Sequence, residues 1–439
     1  MKKVLVIANI FHASPRIPGM VSYLKEFGWE ATLMTAPFTE QDAKGKLALP
    51  KSFNSVDVLP VWYVGDIFFP LRWLFKVINF KKDKSDSYIE TMKNFARVEV
   101  PRTMIEYLAH YAHMILAYPD TEITWILPAL KAFNNKRIGK VYNINYFDCV
   151  LSSSPHPTVH IVASKVHKDV PWIADFRDPW TQNHVYPYHP IRRYFERKLE
   201  LNTIESACFL TGATETMTKK QFNLHNKPYK IIYNGYDPEN QASVSLTDKF
   251  TISYTGTIYE NKQQPEKFLG VVKDLLNDKK IKDIEIRFYG KHMQHLQDKI
   301  DKLGLQAYVK QYGMTPRSEV LKKQSESHAL LMLNWEDESE KSVCPSKFFE
   351  YMASNRPVLA TGGTHGDEIE NIIAKTKCGY YVCSQQEIKE ALLSLYNSYQ
   401  WGNNKSNGIQ SEIDKYSFRN MAKQFAEIFN EVRRKDVRD

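Results

Sequence analysis

From Asp148 to Tyr233, and again from Thr251 to Cys383, short apolar runs alternate with longer amphipathic stretches. Apolar runs bounded by turn residues read as strands buried on both faces, and strand and helix repeated in alternation wind into a parallel sheet with helices packed on both sides. In the first stretch the spacing predicts strands Asp148–Ser153, Trp172–Asp175, Ala207–Gly212 and Tyr229–Tyr233, with helices Thr158–His167, Ile191–Ser206 and Glu215–Phe222 between them. In the second it predicts strands Thr251–Tyr254, Ile284–Tyr289, Val309–Gly313, Ala329–Leu333, Val358–Thr361 and Gly379–Cys383. The intervening helices are Pro265–Asn277, His292–Leu303, Pro316–Ser325 and Asp367–Ala374. Two such series need two sheets, which suits a chain of 439 residues.

The chain opens in the same rhythm. Lys3–Ala8 is a continuous apolar strand, a helix ends near Phe27-Gly28, and a second strand follows at Glu30–Thr35. Residues 40–140 interrupt the pattern with an aromatic insertion that reads as mostly helical. Its segment 61–82 sets apolar rings among Arg72, Lys76, Lys81 and Lys82. That composition suits a lipid interface, and it equally suits an internal helical subdomain. Near the end, Phe418, Met421, Ala422, Phe425, Ile428, Phe429 and Val432 form one apolar helical stripe.

Composition narrows the class. With 43% hydrophobic and 25% charged residues the chain can bury large cores, and no apolar run reaches the ~18–20 residues of a membrane span. The start, Met1–Ala8, reads as a strand and not as a leader, so a cytoplasmic protein is expected, with peripheral attachment to the inner face of the plasma membrane open. Five cysteines, Cys149, Cys208, Cys344, Cys378 and Cys383, show neither a zinc spacing nor a disulfide pattern. No metal or other cofactor is expected. A net charge of +9 comes without a nucleic-acid motif, which leaves an anionic membrane surface or anionic substrates as partners and excludes nucleic acid.

The segment Cys344–Ala360 carries the most specific chemistry. Pro345 and Ser346 are helix start signals, Phe348, Phe349 and Met352 can turn inward, and Asn355 before Arg356-Pro357 ends the helix. Lys347 falls in the first turn, where the helix dipole is already positive, so a cation costs on the order of 0.3–1 kcal/mol unless an anion offsets it. A phosphate bound to the exposed N–H groups would do so. Glu350, one turn on, is placed to accept hydrogen bonds from ribose hydroxyls. The same residues also describe an ordinary amphipathic helix with a solvated lysine and glutamate.

This segment resembles the nucleotide-sugar site of retaining GT-B glycosyltransferases of bacterial surface-polysaccharide assembly. Lys347, Glu350, Tyr351, Met352, Ala353, Arg356, Pro357, Val358, Leu359 and Ala360 meet the family's pattern of Lys-x-x-Glu-Tyr-[Leu/Met]-Ala-x-x-[Arg/Lys]-Pro-Val-Leu-Ala. The resemblance implies an α/β chain of GT-B architecture: two Rossmann-like, doubly wound parallel-sheet domains facing a cleft, the first with a helical insertion. Residues 1–238 would be the acceptor-side domain, 239–410 the donor domain and 411–439 a helix returning to the first.

On the same resemblance, the helix start at Pro345, Ser346 and Lys347 holds the donor diphosphate, and Glu350 holds the ribose. The turn after the first strand of the second domain adds Gly256 and Lys262, with Thr257 where the family has arginine. Ser342 stands where many members have a second glutamate that contacts the donor sugar. The loop after the opening strand supplies Arg16 and Gly19 near the donor phosphates; read alone, it is a connecting loop with a surface arginine. Two loops at strand ends carry His156 and the run Asp175-Phe176-Arg177-Asp178. His156 and Asp178 are the catalytic candidates, with Asp175 and Arg177 on the acceptor side. Both aspartates also fit roles as turn caps or as partners of Arg177.

The implied function is transfer of a sugar from a nucleoside diphosphate sugar to a carbohydrate or lipid-linked acceptor, with retention of configuration. A nucleotide-sugar epimerase of the same fold, or a non-catalytic carbohydrate-binding protein, are the alternatives. Sequence names neither the donor base, the sugar nor the acceptor.

Overall fold

The computed structural model describes residues 1–13, 15–44, 47, 49–65, 115–134, 144–183, 189–240, 244–260, 262–336, 343–403 and 405–435. The chain divides into two compact units, one of Met1–Ile232 with Ala422–Asp439 and the other of Tyr233–Met421.

The first unit is a sheet of seven strands, β1 (Lys2–Ile7), β2 (Trp29–Thr35), β3 (Asp57–Pro60), β4 (Cys149–Ser154), β5 (Trp172–Phe176), β6 (Phe209–Gly212) and β7 (Tyr229–Ile231), in the order β3-β2-β1-β4-β5-β6-β7. Neighbouring strands all pair parallel. The order reverses at β1 and β4, so the loops leaving these two strands part and open a crevice at the carboxyl edge, where ligands bind in sheets of this type. Strands β1 and β4 are buried almost throughout, as continuous apolar runs in a doubly covered sheet should be.

The insertion differs from its helical expectation at its start. Asp57–Pro60 adds an edge strand to β2 in register Leu33↔Val58, and Val61 enters the core beside Trp125. Four residues are too few to display a period, and Pro60 suits an edge, where one side of the strand forms no ladder. At its far end the helix Ile126–Asn134 seats Ala129 in the same core. Residues 66–82, with the basic side chains of the aromatic segment, lie outside the described residues.

The second unit holds six strands, β8 (Phe250–Thr255), β9 (Ile284–Tyr289), β10 (Val309–Gly313), β11 (Ala329–Leu333), β12 (Val358–Thr361) and β13 (Gly379–Val382), in the order β10-β9-β8-β11-β12-β13 and again all parallel. Here the switch falls between β8 and β11. Two apolar clusters cover the sheet, one centred on Phe250, Phe268 and Leu331, the other on Phe348, Phe349 and Tyr351. Ser384 and Glu387 form a capping box at the start of the helix Gln385–Gln400, and Asp367 caps the helix Glu368–Thr376.

The apolar stripe near the end is the buried face of the helix Phe418–Lys435. In the first unit its Phe429 packs edge-on against Trp29 at 5.1 Å. In the second, Phe418 donates its backbone N–H to Tyr236.

Candidate functional site

In the second unit the carboxyl edge is built around the end of β8. The chain turns there through Gly256 at φ +114°, a conformation that favours glycine, and a Cβ at this position would lie 3.5 Å from Lys347 Nζ. Gly256 donates its N–H to the Tyr289 carbonyl at 2.8 Å. A Cβ at Gly290 would fall 2.2 Å from the Gly256 carbonyl oxygen, so only glycine allows β8 and β9 to end this close together.

Lys347 reaches this turn from the helix Ser346–Ala353, whose N-cap, Pro345, has no side-chain bond to the helix start. Its Nζ donates to Tyr254 Oη at 2.6 Å and lies 4.0 Å from the centre of that ring. Burial pulls the amine down to about 7, with the Glu350 carboxylate acting in the opposite direction. The helix itself is anchored by Phe348 and Phe349 and by Tyr351, whose hydroxyl accepts from the Thr255 N–H at 2.8 Å. Glu350 pairs with Arg317, and both line a pocket with Tyr236, Asp237, Gln324 and Ser354.

Lys262 stands on the same edge, its Nζ 5.1 Å from the Trp335 indole. The loops after β8 and β11 are tied to each other: Gln263 donates to the Leu333 carbonyl, and Glu336 N–H to the Lys262 carbonyl at 3.4 Å. Among the described residues neither amide atom of Asn334, 5% exposed, finds a hydrogen-bond partner, nor do the buried Thr364 Oγ1 and Glu336 Oε1, while Glu336 Oε2 accepts from Lys267 at 2.8 Å. Buried polar atoms cost free energy unless something bonds them, so these atoms on the loops after β11 and β12 mark a place for a polar ligand. Thr257 is exposed, and its carbonyl accepts from Tyr254 Oη at 2.8 Å. Ser342 lies outside the described residues.

The first unit corrects part of the expected site. Arg16 is 1% exposed and donates from Nε and Nη2 to Asp175 at 3.1 and 2.9 Å, and from Nη1 to the Ile232 carbonyl at 2.7 Å. Gly19 is buried in the middle of the helix Arg16–Tyr23. Neither is open to a donor phosphate, because the helix turns this face into the unit's interior. Asp175 is also withdrawn from the acceptor side. Its carboxylate is fully buried and accepts from Ser153 and Thr211, each at 2.7 Å, so it binds β4, β6 and the Arg16 helix to β5. Burial works to raise its pKa, but the Arg16 guanidinium beside it and these hydrogen bonds hold it below the usual carboxylate range.

Arg177 is half-buried and donates from Nη1 to the His12 carbonyl at 2.6 Å, which pins the loop after β1. Asp178 is exposed. His156, at the end of β4, is half-exposed and packs its ring edge-on against that of His12, with centroids 4.4 Å apart. Sequence reading missed both neighbours of this histidine. His12 Nε2 lies 3.5 Å from Glu122 Oε1, and Tyr63 Oη donates to the same carboxylate. Burial pushes Glu122 up, yet hydrogen bonds from His12 and Tyr63 and the nearby His156 leave it below its ordinary value.

The architecture of two parallel doubly wound sheets is the GT-B fold. It is shared along nearly the whole chain with sucrose-phosphate synthase from Thermosynechococcus elongatus, at TM-score 0.60 and 10% identity over 98% of this chain and 99% of that one. Anabaena HepE, solved with UDP and glucose, matches at TM-score 0.58 and 11% identity over 98% and 100%. Staphylococcus aureus TarM, solved with UDP and a GlcNAc-glycerol, gives TM-score 0.58 and 11% over 98% and 100%. Residues 249–398, within the second unit, match the family model described as glycosyl transferases group 1. No curated protein matches the chain.

Proposed function

We propose that the protein is a glycosyltransferase that takes a sugar from a nucleoside diphosphate sugar and places it on a carbohydrate or lipid-linked acceptor, with retention. The observation that carries this reading is the buried Lys347 amine set against the glycine turn of β8, at the start of a helix that presents Glu350 one turn later. A cation partly neutralised by burial, beside a helix N-terminus, is built to regain its charge against phosphate. Gly256 lets the diphosphate approach the backbone, Lys262 and Lys347 take its charge, and Glu350 receives the ribose hydroxyls after exchanging Arg317. This donor binding needs no metal at the diphosphate, because the lysines and the helix start supply the positive charge.

Solved neighbours of the same fold support the donor class, since HepE was solved with UDP and glucose and TarM with UDP. In the first unit, Asp178 and His156 are the side chains on this reading that orient the acceptor hydroxyl. Surface-polysaccharide assembly and attachment to an anionic membrane through residues 61–82 complete the proposal. Among the described residues no helix is long and apolar enough to cross a membrane.

Incubating the protein with a panel of nucleotide sugars, with and without a lipid-linked acceptor, tests the reading. Transfer only when acceptor is present supports it, whereas a donor altered without acceptor indicates an epimerase, and binding without turnover a carbohydrate-binding protein. Proton NMR of the fresh product decides the stereochemistry, and an inverted anomer rules out retention.

A further inference from the structure

The two loops that part at the switch point of the first sheet each carry a histidine. His12 belongs to the short helix Ile10–Ala13 after β1, and His156 follows β4 between Pro155 and Pro157. A third segment, 115–134, brings Glu122 to the same edge, and one ligand atom from each of the three residues lies within 4.8 Å of the others. Glu122 is 10% exposed and His12 38%, so the cluster is closed on the protein side and open on the other.

We propose that His12, Glu122 and His156 form a binding site for a divalent transition cation of the Zn²⁺ class, with open coordination positions for an oxygen of an incoming substrate. Two imidazoles and one carboxylate suit Zn²⁺, Co²⁺ or Fe²⁺, and disfavour Mg²⁺ and Ca²⁺, which take oxygen ligands. Bonds of about 2.0–2.2 Å place tetrahedral ligand atoms about 3.4 Å apart. The 3.5 Å between His12 Nε2 and Glu122 Oε1 already meets this spacing. The widest pair has to close by no more than about 1.4 Å, a side-chain rotation for the half-exposed histidines.

The support behind the three residues is what a metal site requires and what an accidental meeting of side chains lacks. The second oxygen of Glu122 accepts from Tyr63 Oη, which in turn accepts from Asn9 Nδ2 at 3.3 Å. Glu122 N–H donates to Asp120 Oδ1 at 2.7 Å, and Asp120 also accepts from the backbone N–H and the hydroxyl of Thr158, two residues after His156, at 2.7 and 2.9 Å. Arg177 holds the His12 carbonyl. All three segments are therefore tied together by buried and half-buried polar groups behind the site, as outer partners hold metal ligands. Sequence spacing could not show this, because the three residues come from distant loops.

The test is a titration of chelator-stripped full-length protein with Co²⁺, read by visible absorption, followed by displacement with Zn²⁺. One equivalent should bind with a dissociation constant in the micromolar range or below, and Mg²⁺ should not compete. The double variant His12→Ala/His156→Ala should weaken binding at least 30-fold, and so should Glu122→Gln, while His365→Ala, a second histidine beside a glutamate, should leave it unchanged. His12→Gln alters only a half-exposed side chain and keeps the test valid if the other variants unfold; it should weaken binding tenfold or more. Absence of stoichiometric Co²⁺ binding at about 100 µM, or equal binding by wild type and the histidine variants, overturns the site and leaves His12 as a hydrogen-bond partner of Glu122 and His156 as the ring packed against His12. UDP affinity, measured in parallel on His12→Gln, reports on the other unit, so failure of the metal site and failure of the donor reading are separable.

Discussion

On the proposed reading, with the donor diphosphate against Lys347, donor binding is a pH-dependent event. Burial lowers its amine from the ordinary 10.5 to about 7, so the free protein holds it half-charged at neutrality and almost uncharged two units higher. A diphosphate against the amine restores the charge, and binding above pH 7 must take up a proton. With a pKa of 7 the charged fraction is about one half at pH 7, one tenth at pH 8 and one hundredth at pH 9, so affinity should fall about 50-fold from pH 7 to 9, or about 2.3 kcal/mol. Solvent around a half-buried residue trims this, and a tenfold loss is the decisive scale. The ligand's terminal phosphate, with its second pKa near 6, is already ionised over this range and adds little. The sign follows for stability too. Between pH 7 and 10.5 the unfolded chain holds the extra proton, so the free protein gains stability as pH rises through that window, while the UDP complex gains less. Calorimetry with UDP in buffers of different ionisation enthalpy should show uptake of close to one proton at pH 8, and Lys347→Met should abolish both the uptake and the pH dependence. Affinity that stays flat from pH 7 to 9 with no proton uptake refutes the reasoning and removes the amine from the diphosphate.

Glu350→Ala should weaken UDP binding by roughly 1.5–3 kcal/mol, the worth of a charge-assisted hydrogen bond, and an unchanged calorimetric dissociation constant would take it out of the site. Asp178→Asn should lower turnover through poorer acceptor placement while donor affinity stays nearly intact; wild-type turnover would assign this residue to the local turn alone. Asp175→Asn should cost about 3–5 kcal/mol in urea unfolding, because it leaves the Arg16 charge buried without its carboxylate, and a loss under 1 kcal/mol would contradict the role of this pair in holding the sheet. Neutralising Lys76, Lys81 and Lys82 together should weaken co-sedimentation with anionic vesicles steeply, at about 1 kcal/mol for each basic side chain, and equal sedimentation of wild type and variant would count against membrane attachment.

The parts of the site legible in the sequence are those whose cause is local. The helix of Lys347 and Glu350 declares itself by its start signals, its inward phenylalanines and its stop at Asn355, which takes φ +56° as the residue after such a helix does. The turn at Gly256 is local as well. What sequence could not show is pairing across distance. Arg16 and Asp175 are 159 residues apart, and read separately each looks like a surface charge on a strand-end loop. Tyr254 looks like one more aromatic on a strand, and only the fold sets its hydroxyl under Lys347. Glu122 sits in an insertion whose pattern says little beyond its aromatic content, and Asn334 is a polar residue after an apolar run until its lack of partners among the described residues becomes visible.

Asp175 and Asp178 show why strand-end charges need the fold before a role can be assigned. They are three residues apart, of the same chemistry, beside the same crevice. Strand β5 continues through Phe176, so the alternation of the pleat still governs Asp175 and turns its carboxylate into the unit. There an ion costs several kcal/mol unless it is paired, and Arg16, Ser153 and Thr211 supply that pairing. A carboxylate with its oxygens so engaged has little left to offer a substrate. After Phe176 the ladder ends, the pleat no longer constrains the chain, and Asp178 reaches solvent. A group that has to meet an acceptor hydroxyl must be reachable and must not already be bound to its neighbours, and of the two aspartates Asp178 is the one that is exposed. The expectation of two carboxylates on the acceptor side therefore reduces to one, Asp178.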